Sequence, residues 1–151
     1  MAAGSVFARP LGMARRHVEP IALRGVHVLV VCDDEERRTL FAQALKYAGA
    51  LVTMSASADD AAAVMERLHA NVIVVELRDA DARARLINAL RALPPDRGGK
   101  SPALALTRSH EDADAVLALG FQLHAAMPVR AAELCGAVAS LAQQPAAWPR
   151  L

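Results

Sequence analysis

The sequence predicts an α/β protein built on a parallel β-sheet with helices on both faces. Five apolar runs, the first and third of them strongly β-branched, alternate with five stretches of helical spacing, joined by connections of a few residues. Parallel neighbours require such crossover helices. The run Asn71-Val72-Ile73-Val74-Val75-Glu76-Leu77 stays apolar up to a single acid, the pattern of a central strand buried on both faces. Aromatic residues are only 3% of the 151, so the core must come from Val, Leu, Ile and Ala, which suits helices packed on a β-branched sheet.

The elements follow in order. Residues 1–24 hold Gly4, Pro10, Gly12 and Pro20, with four Arg against one Glu and no sustained periodicity; they read as a flexible basic arm. Val26 to Val31 is a first strand, ended by Cys32-Asp33-Asp34-Glu35-Glu36. Leu40, Phe41, Ala44, Leu45 and Ala48 then follow helical spacing, with Asp34 or a neighbour as N-cap and Gly49 at the stop. Ala50 to Met54 is a second strand, and Ser55 or Ser57 caps a helix whose inward face is Ala61, Val64, Met65 and Leu68. The central strand delivers Glu76 to the sheet's rim. After the loop Arg78-Asp79-Ala80-Asp81, the residues Leu86, Ile87, Leu90 and Leu93 mark a third helix stopped by Pro94-Pro95. Asp96 to Ser101 is a turn-rich loop.

Pro102 to Thr107 supplies a fourth strand, and Glu111 to Leu119 a fourth helix ended by Gly120. Phe121 to Met127 is a weak fifth strand before Pro128. A last helix runs from about Val129 to Leu141, and residues 143–151 read as a loose tail. The folded domain is thus expected over 25–142.

Net charge is +1 with a pI near 7.9, so no broad basic field of the kind a phosphate backbone demands is present. Removing the arm's +3 leaves the remainder slightly acidic. Cys32 and Cys135 match no metal-binding spacing and read as reduced buried thiols, which points to the cytoplasm. No window approaches the roughly 18–20 apolar residues of a membrane span. A phosphate-binding glycine loop would have to follow the first strand, and Cys32-Asp33-Asp34-Glu35-Glu36 is its electrostatic opposite. No Ser-His-Asp or Cys-His arrangement stands at the strand ends, and no enzyme activity is expected.

In open parallel sheets, sites form beyond the carboxyl ends of the strands. Three of those ends carry informative residues: Asp33-Asp34, Glu76 and Thr107. On these residues the chain, over about 25–142, resembles the receiver domain of two-component response regulators, in a degenerate or pseudo-receiver form. The resemblance implies a CheY-like, flavodoxin-like three-layer sandwich with strand order 2-1-3-4-5. It places the Mg²⁺-binding acid pair on Asp33 and Asp34, the phosphoacceptor on Glu76, the hydroxyl switch on Thr107, the aromatic switch on His124 and the lysine on Met127, just before Pro128.

Three of those five positions depart from the family's pattern. Glu76 is one methylene longer than aspartate, and Met127 removes the fixed cation that phosphoryl transfer uses. Misplacing a reacting group by about 1 Å can cost roughly 10²-fold, so ordinary phosphorylation is not expected. Asp79-Ala80 and Ala84 replace the family's turn and glycine, and Arg108 stands where a small residue normally lines the way in.

Asp33, Asp34 and Glu76 form an acidic pocket whose repulsion needs a proton or a cation; Arg78 and Arg108 are the expected compensating charges. No cofactor is required, with Mg²⁺ at Asp33 and Asp34 the candidate ion, although Asp34 can equally cap its helix. Glu76 reads either as an imitation of a phosphorylated aspartate or as a relic. His124 reads as a partly exposed surface side chain rather than a pH sensor.

The functional expectation is a stand-alone receiver that acts in signalling, independently of phosphorylation, through protein–protein contacts. Its partner is an effector or a histidine-kinase pathway component, met on the helix 4, strand 5 and helix 5 face, which is rich in Ala125, Ala126, Ala131, Ala132 and Ala139; the same face could form a homodimer. The alternatives are a phosphorylatable or Mg²⁺-binding receiver with an altered site, and a nucleic-acid-associated pseudo-receiver using the basic arm. Neither a membrane nor nucleic acid is expected as a partner.

Overall fold

The computed structural model describes residues 22–108 and 113–143. Five strands, β1 (His27–Cys32), β2 (Leu51–Ser55), β3 (Val72–Glu76), β4 (Ala103–Arg108) and β5 (Leu123–Met127), alternate with helices α1 (Glu35–Tyr47), α2 (Ala58–Met65), α3 (Ala80–Arg91), α4 (Ala113–Leu119) and α5 (Ala131–Ala142). The sheet is parallel throughout, in the order β2-β1-β3-β4-β5. This is the expected architecture and strand order.

Two apolar layers sandwich the sheet, and the period-2 alternation of the strands decides which residue enters which. Val28, Val30, Cys32, Val72 and Val74 face α1 and α5, where Phe41, Leu45, Leu134 and Val138 meet them. Leu29, Val31, Ile73 and Val75 face the other way, against Ala61 and Met65 of α2, Leu86, Ile87 and Leu90 of α3 and Val116 of α4. β3 sits at the centre and all five of its residues are buried.

Helix starts are fixed by side-chain caps. Asp34 accepts from the Arg37 amide at 2.8 Å, Ser57 from the Asp60 amide at 3.1 Å, and Asp79 from the Asp81 amide at 3.0 Å. Of the two serines offered as the α2 cap, Ser57 takes the role and Ser55 ends β2. Gly49 and Gly120 follow α1 and α4 with φ of 104° and 122°, the left-handed conformation that glycine adopts without strain.

Several boundaries differ from the sequence reading; Leu68 lies past the end of α2 at Met65, and β1, β2 and α5 are shifted by one or two residues. Leu93 lies past the end of α3, because Pro94 excludes the helical conformation just before it. β5 begins at Leu123, and Phe121 instead joins the core beneath α3 and α4. Leu23 is fully buried, and its amide donates to the Ala48 carbonyl at 2.8 Å, so folded structure reaches residues that the sequence reading gave to the arm. The rest of the expected arm, residues 1–21, and the expected tail from 144 onward lie outside the described residues, as do Glu111 and Asp112 at the expected start of α4.

Candidate functional site at the carboxyl ends of the strands

Strand register brings the site together. Cys32 pairs with Glu76 across β1 and β3, and the alternation places both side chains on one face of the sheet. Glu76 is buried, at 5% exposure. Its carboxylate is held from two sides. Arg37, in the first turn of α1, donates from Nε to Oε1 at 2.8 Å and from Nη2 to Oε2 at 3.1 Å. The Cys32 thiol donates to Oε1 at 3.1 Å. This two-pronged guanidinium–carboxylate geometry is the strongest side-chain pairing available to arginine.

The surrounding groups hold that arrangement in place. Asp34 caps α1 through the Arg37 amide, so the residue that clamps Glu76 is anchored at its backbone as well. A looser ion pair of 3.9 Å joins Arg37 Nη1 to Asp34 Oδ2. Arg38 donates from Nη1 to the Cys32 carbonyl at 2.8 Å and ties the helix to the strand end. Asp33 accepts from the Arg78 amide at 2.9 Å, linking the β1 and β3 loops.

Electrostatics follow from these contacts. The hydrogen bonds it donates to Glu76 raise the Arg37 guanidinium above its ordinary value, against the opposing effect of burial. The Arg37 amide holds the Asp34 carboxyl below its usual range. Burial pushes the Cys32 thiol up to about 12, and the neighbouring Glu76 carboxylate acts in the same direction. Cys32 is therefore a proton-bearing donor to Glu76 at neutral pH, not a nucleophilic thiolate.

The expected pocket of Asp33, Asp34 and Glu76 is rearranged. Asp34 turns to its helix, and the thiol of Cys32 stands beside Glu76 instead. The compensating charge is Arg37. Arg78 and Arg108, the arginines expected in that role, are exposed; at this site the ion pairs are Arg37 with Asp34 and Arg37 with Glu76. Arg37 escaped the sequence reading because helical periodicity treats a charged residue in the first turn as solvated surface. Its signal was position: three residues after an N-cap at a strand end, it stands over the neighbouring strand's terminus.

At the β4 side, Thr107 is buried and its Oγ1 bonds His124 Nε2 on β5. The two switch positions, read separately from sequence, are one hydrogen-bonded pair, and His124 is half-buried. Met127 packs against the core layer of α1 and α5 and leaves no cation at the lysine position.

Mg²⁺ at Asp33 and Asp34 does not suit this donor set. Mg²⁺ demands a near-octahedral oxygen shell, whereas Asp33 and Asp34 are engaged by amides and both Glu76 oxygens carry a guanidinium that repels a dication. Among the described residues no three His, Cys, Asp or Glu side chains are placed to share a metal.

No family model matches the chain. A Leptolyngbya boryana protein, described as an uncharacterized 14.6 kDa protein in the sodA1 3′ region, is 34% identical over 115 residues, covering 74% of this chain and 86% of that one. Among solved structures, a putative response regulator from Chloroflexus aurantiacus J-10-fl superposes with a TM-score of 0.71 at 21% identity, over 78% of this chain and 98% of the other. The receiver domain of the sensor histidine kinase PA1611 from Pseudomonas aeruginosa PAO1, described with magnesium in its active-site cleft, gives 0.70 at 24%, over 79% and 98%. Chemotaxis response regulator CheY4 of Vibrio cholerae gives 0.70 at 21%, over 77% and 98%. The chain belongs to the family of the Leptolyngbya boryana protein, and its fold is that of response-regulator receiver domains.

Proposed function

We propose that this protein is a signalling module on the receiver fold that works without phosphorylation, by binding another protein, and that it catalyses no reaction. The carrying observation is the two-pronged Arg37–Glu76 pair. Phosphoryl transfer to a carboxylate needs a free oxygen lined up for attack and cations around the transferring group. Both Glu76 oxygens are occupied, and Met127 supplies no cation. Arg37 instead fixes the pole in one arrangement, supplying permanently the positive charge that an ion and a lysine would bring.

In this reading the protein signals by presence rather than by modification. The partner is an effector or a histidine-kinase pathway component in the cytoplasm, or a second copy, and it meets the α4–β5–α5 face. Support comes from Leu117 and Leu119, exposed on α4 at 41% and 38%, beside the alanine-rich β5 and α5. Among the described residues no helix is long and apolar enough to cross a membrane.

The test is exposure of the full chain to acetyl phosphate, and separately to beryllofluoride, each with Mg²⁺, read by intact mass and amide NMR. The expected result is unchanged mass and no beryllofluoride-dependent shifts around Glu76. A covalent phosphoryl adduct mapped to Glu76 overturns the proposal.

A further inference from the structure

The described elements leave the β5 side of the sheet open at its amino end. The order β2-β1-β3-β4-β5 makes β5 an edge strand, and natural sheets shield such edges with a helix or a loop. Where β5 begins, between α4 and α5, a groove of about 500 Å³ is lined by Pro102, Leu117, Phe121, Leu123, Ser140 and Leu141. Phe121 belongs to one core layer, while Leu123 and Leu141 pack in the other, so both layers reach the surface here. No charged side chain is among the described lining residues. The amide of Gln122, which also lines the groove, is spent within the fold: its Oε1 accepts from the Ala103 amide at 2.7 Å and from Arg91 Nη2 at 2.9 Å, and its Nε2 donates to the Gly120 carbonyl at 3.0 Å. A charged ligand would meet no counter-charge in this groove, whereas an apolar ring would bury against leucine and phenylalanine side chains.

We infer that Trp148, the single tryptophan of the chain, docks in this groove, so that the stretch after α5 closes the β5 edge of its own domain. The point of connection selects it. Ser140 and Leu141, in the last turn of α5, line the groove, so the chain leaves the described residues at the groove's rim. Trp148 lies five residues beyond Gln143, a reach of up to about 17 Å. Residues 1–21 join at the other edge of the sheet, where the Leu23 amide donates to the Ala48 carbonyl just before β2. Composition selects it as well: residues 144–151 carry one charged side chain, Arg150, and no acid, in keeping with the neutral walls. A short tether holds its end at an effective concentration of roughly millimolar, so even a contact with an intrinsic Kd of about 1 mM is half occupied. The indole N–H, which a buried tryptophan usually pairs, has the Ser140 hydroxyl at the rim. The groove shares Leu117 and Leu123 with the face proposed above for a partner, but this contact is made within one chain and needs no partner.

The experiment reads Trp148 fluorescence in the full chain, native and urea-unfolded, with acrylamide as the quencher. Native emission is expected to the blue of the unfolded chain's, with quenching several-fold weaker, and both unchanged on dilution. Leu117→Asp, at an exposed position on α4, is expected to shift emission to the red and raise quenching several-fold, with the far-UV circular dichroism unchanged. Trp148→Ala, compared with wild type by ¹H–¹⁵N NMR, is expected to move the Leu117, Leu123 and Ser140 amides and to leave those around Glu76 in place; it decides the matter if Leu117→Asp does not fold. The inference fails if native Trp148 is quenched as readily as in the unfolded chain, or if Leu117→Asp leaves its protection intact. Protection lost on dilution overturns it too, because the groove is then filled by a second copy. None of these readouts depends on the state of Glu76 or on a partner, so this inference and the proposed function fail separately.

Discussion

The two poles of the sheet use arginine in opposite ways. At the amino ends of the strands, Arg91 bonds the carbonyls of Gly99, Ser101 and Gly120 and the side chain of Gln122 at 2.7–3.1 Å, and burial lowers its pKa to about 10. Nearby, Asn71 accepts from the His27 amide and Ser101 donates to the Ala70 carbonyl. These side chains continue the backbone pairing where the strands have not yet begun. At the carboxyl ends, Arg37 bonds a carboxylate, and Arg83, buried in the first turn of α3, keeps its Nε without an acceptor. Side chains at the first pole complete the fold. At the second they carry charge beyond what the fold consumes, the arrangement expected of a functional pole in an open parallel sheet.

That contrast can be broken by mutation. Arg91→Met should have the largest effect, about 3 kcal/mol lost in urea denaturation, because it strips a donor from three backbone carbonyls at once. Arg37→Ala should cost about 2 kcal/mol, less than a fully buried pair because Arg37 is 35% exposed. If Arg37→Ala proves the costlier, the amino pole is not the stabilising one. Asp34→Ala should cost less again. The Asp34 carboxyl is held below its usual range, so its contribution is present above the ordinary carboxylate pKa of about 4 and lost as pH falls through the lower folded value. The difference between variant and wild type in urea should therefore shrink in acid.

The smallest effect concerns the thiols. Burial pushes Cys32 up to about 12 and Cys135 up to about 11 from 9.0. Above pH 9 the unfolded chain releases these protons and the folded one keeps them, so stability declines as pH rises toward 11. In a paired urea series, Cys32→Ala with Cys135→Ala should flatten that decline while leaving the slope below pH 8 unchanged.

The fold was legible in sequence because local rules govern it, whereas the Arg91 network at the amino pole, which joins residues 29 and 31 positions apart, was not. Periodicity gave the strands and helices, Asp34 was offered as a cap, and the run before Glu76 identified the central strand. The carboxyl pole was legible in position but not in partnership. Which arginine reaches Glu76 depends on how α1 enters after β1, a tertiary relation that charge patterning alone leaves open among Arg37, Arg78 and Arg108. Cys32 was closer to hand. Period-2 alternation and parallel register put it across from Glu76, but a cysteine at a strand end reads first as packing. Arg83 gave no signal at all, since an arginine in a first helical turn looks solvated until the strand beside it is known.

The clamp on Glu76 also bears on how the chain comes together. Both side chains that hold this carboxylate, Cys32 of β1 and Arg37 of α1, precede it in the chain. A pole relying on a lysine at the end of β5 would stay incomplete until the last strand docks. Here the contacts that neutralise Glu76 are confined to the first half of the chain, and the pole's charge balance does not depend on the last strand.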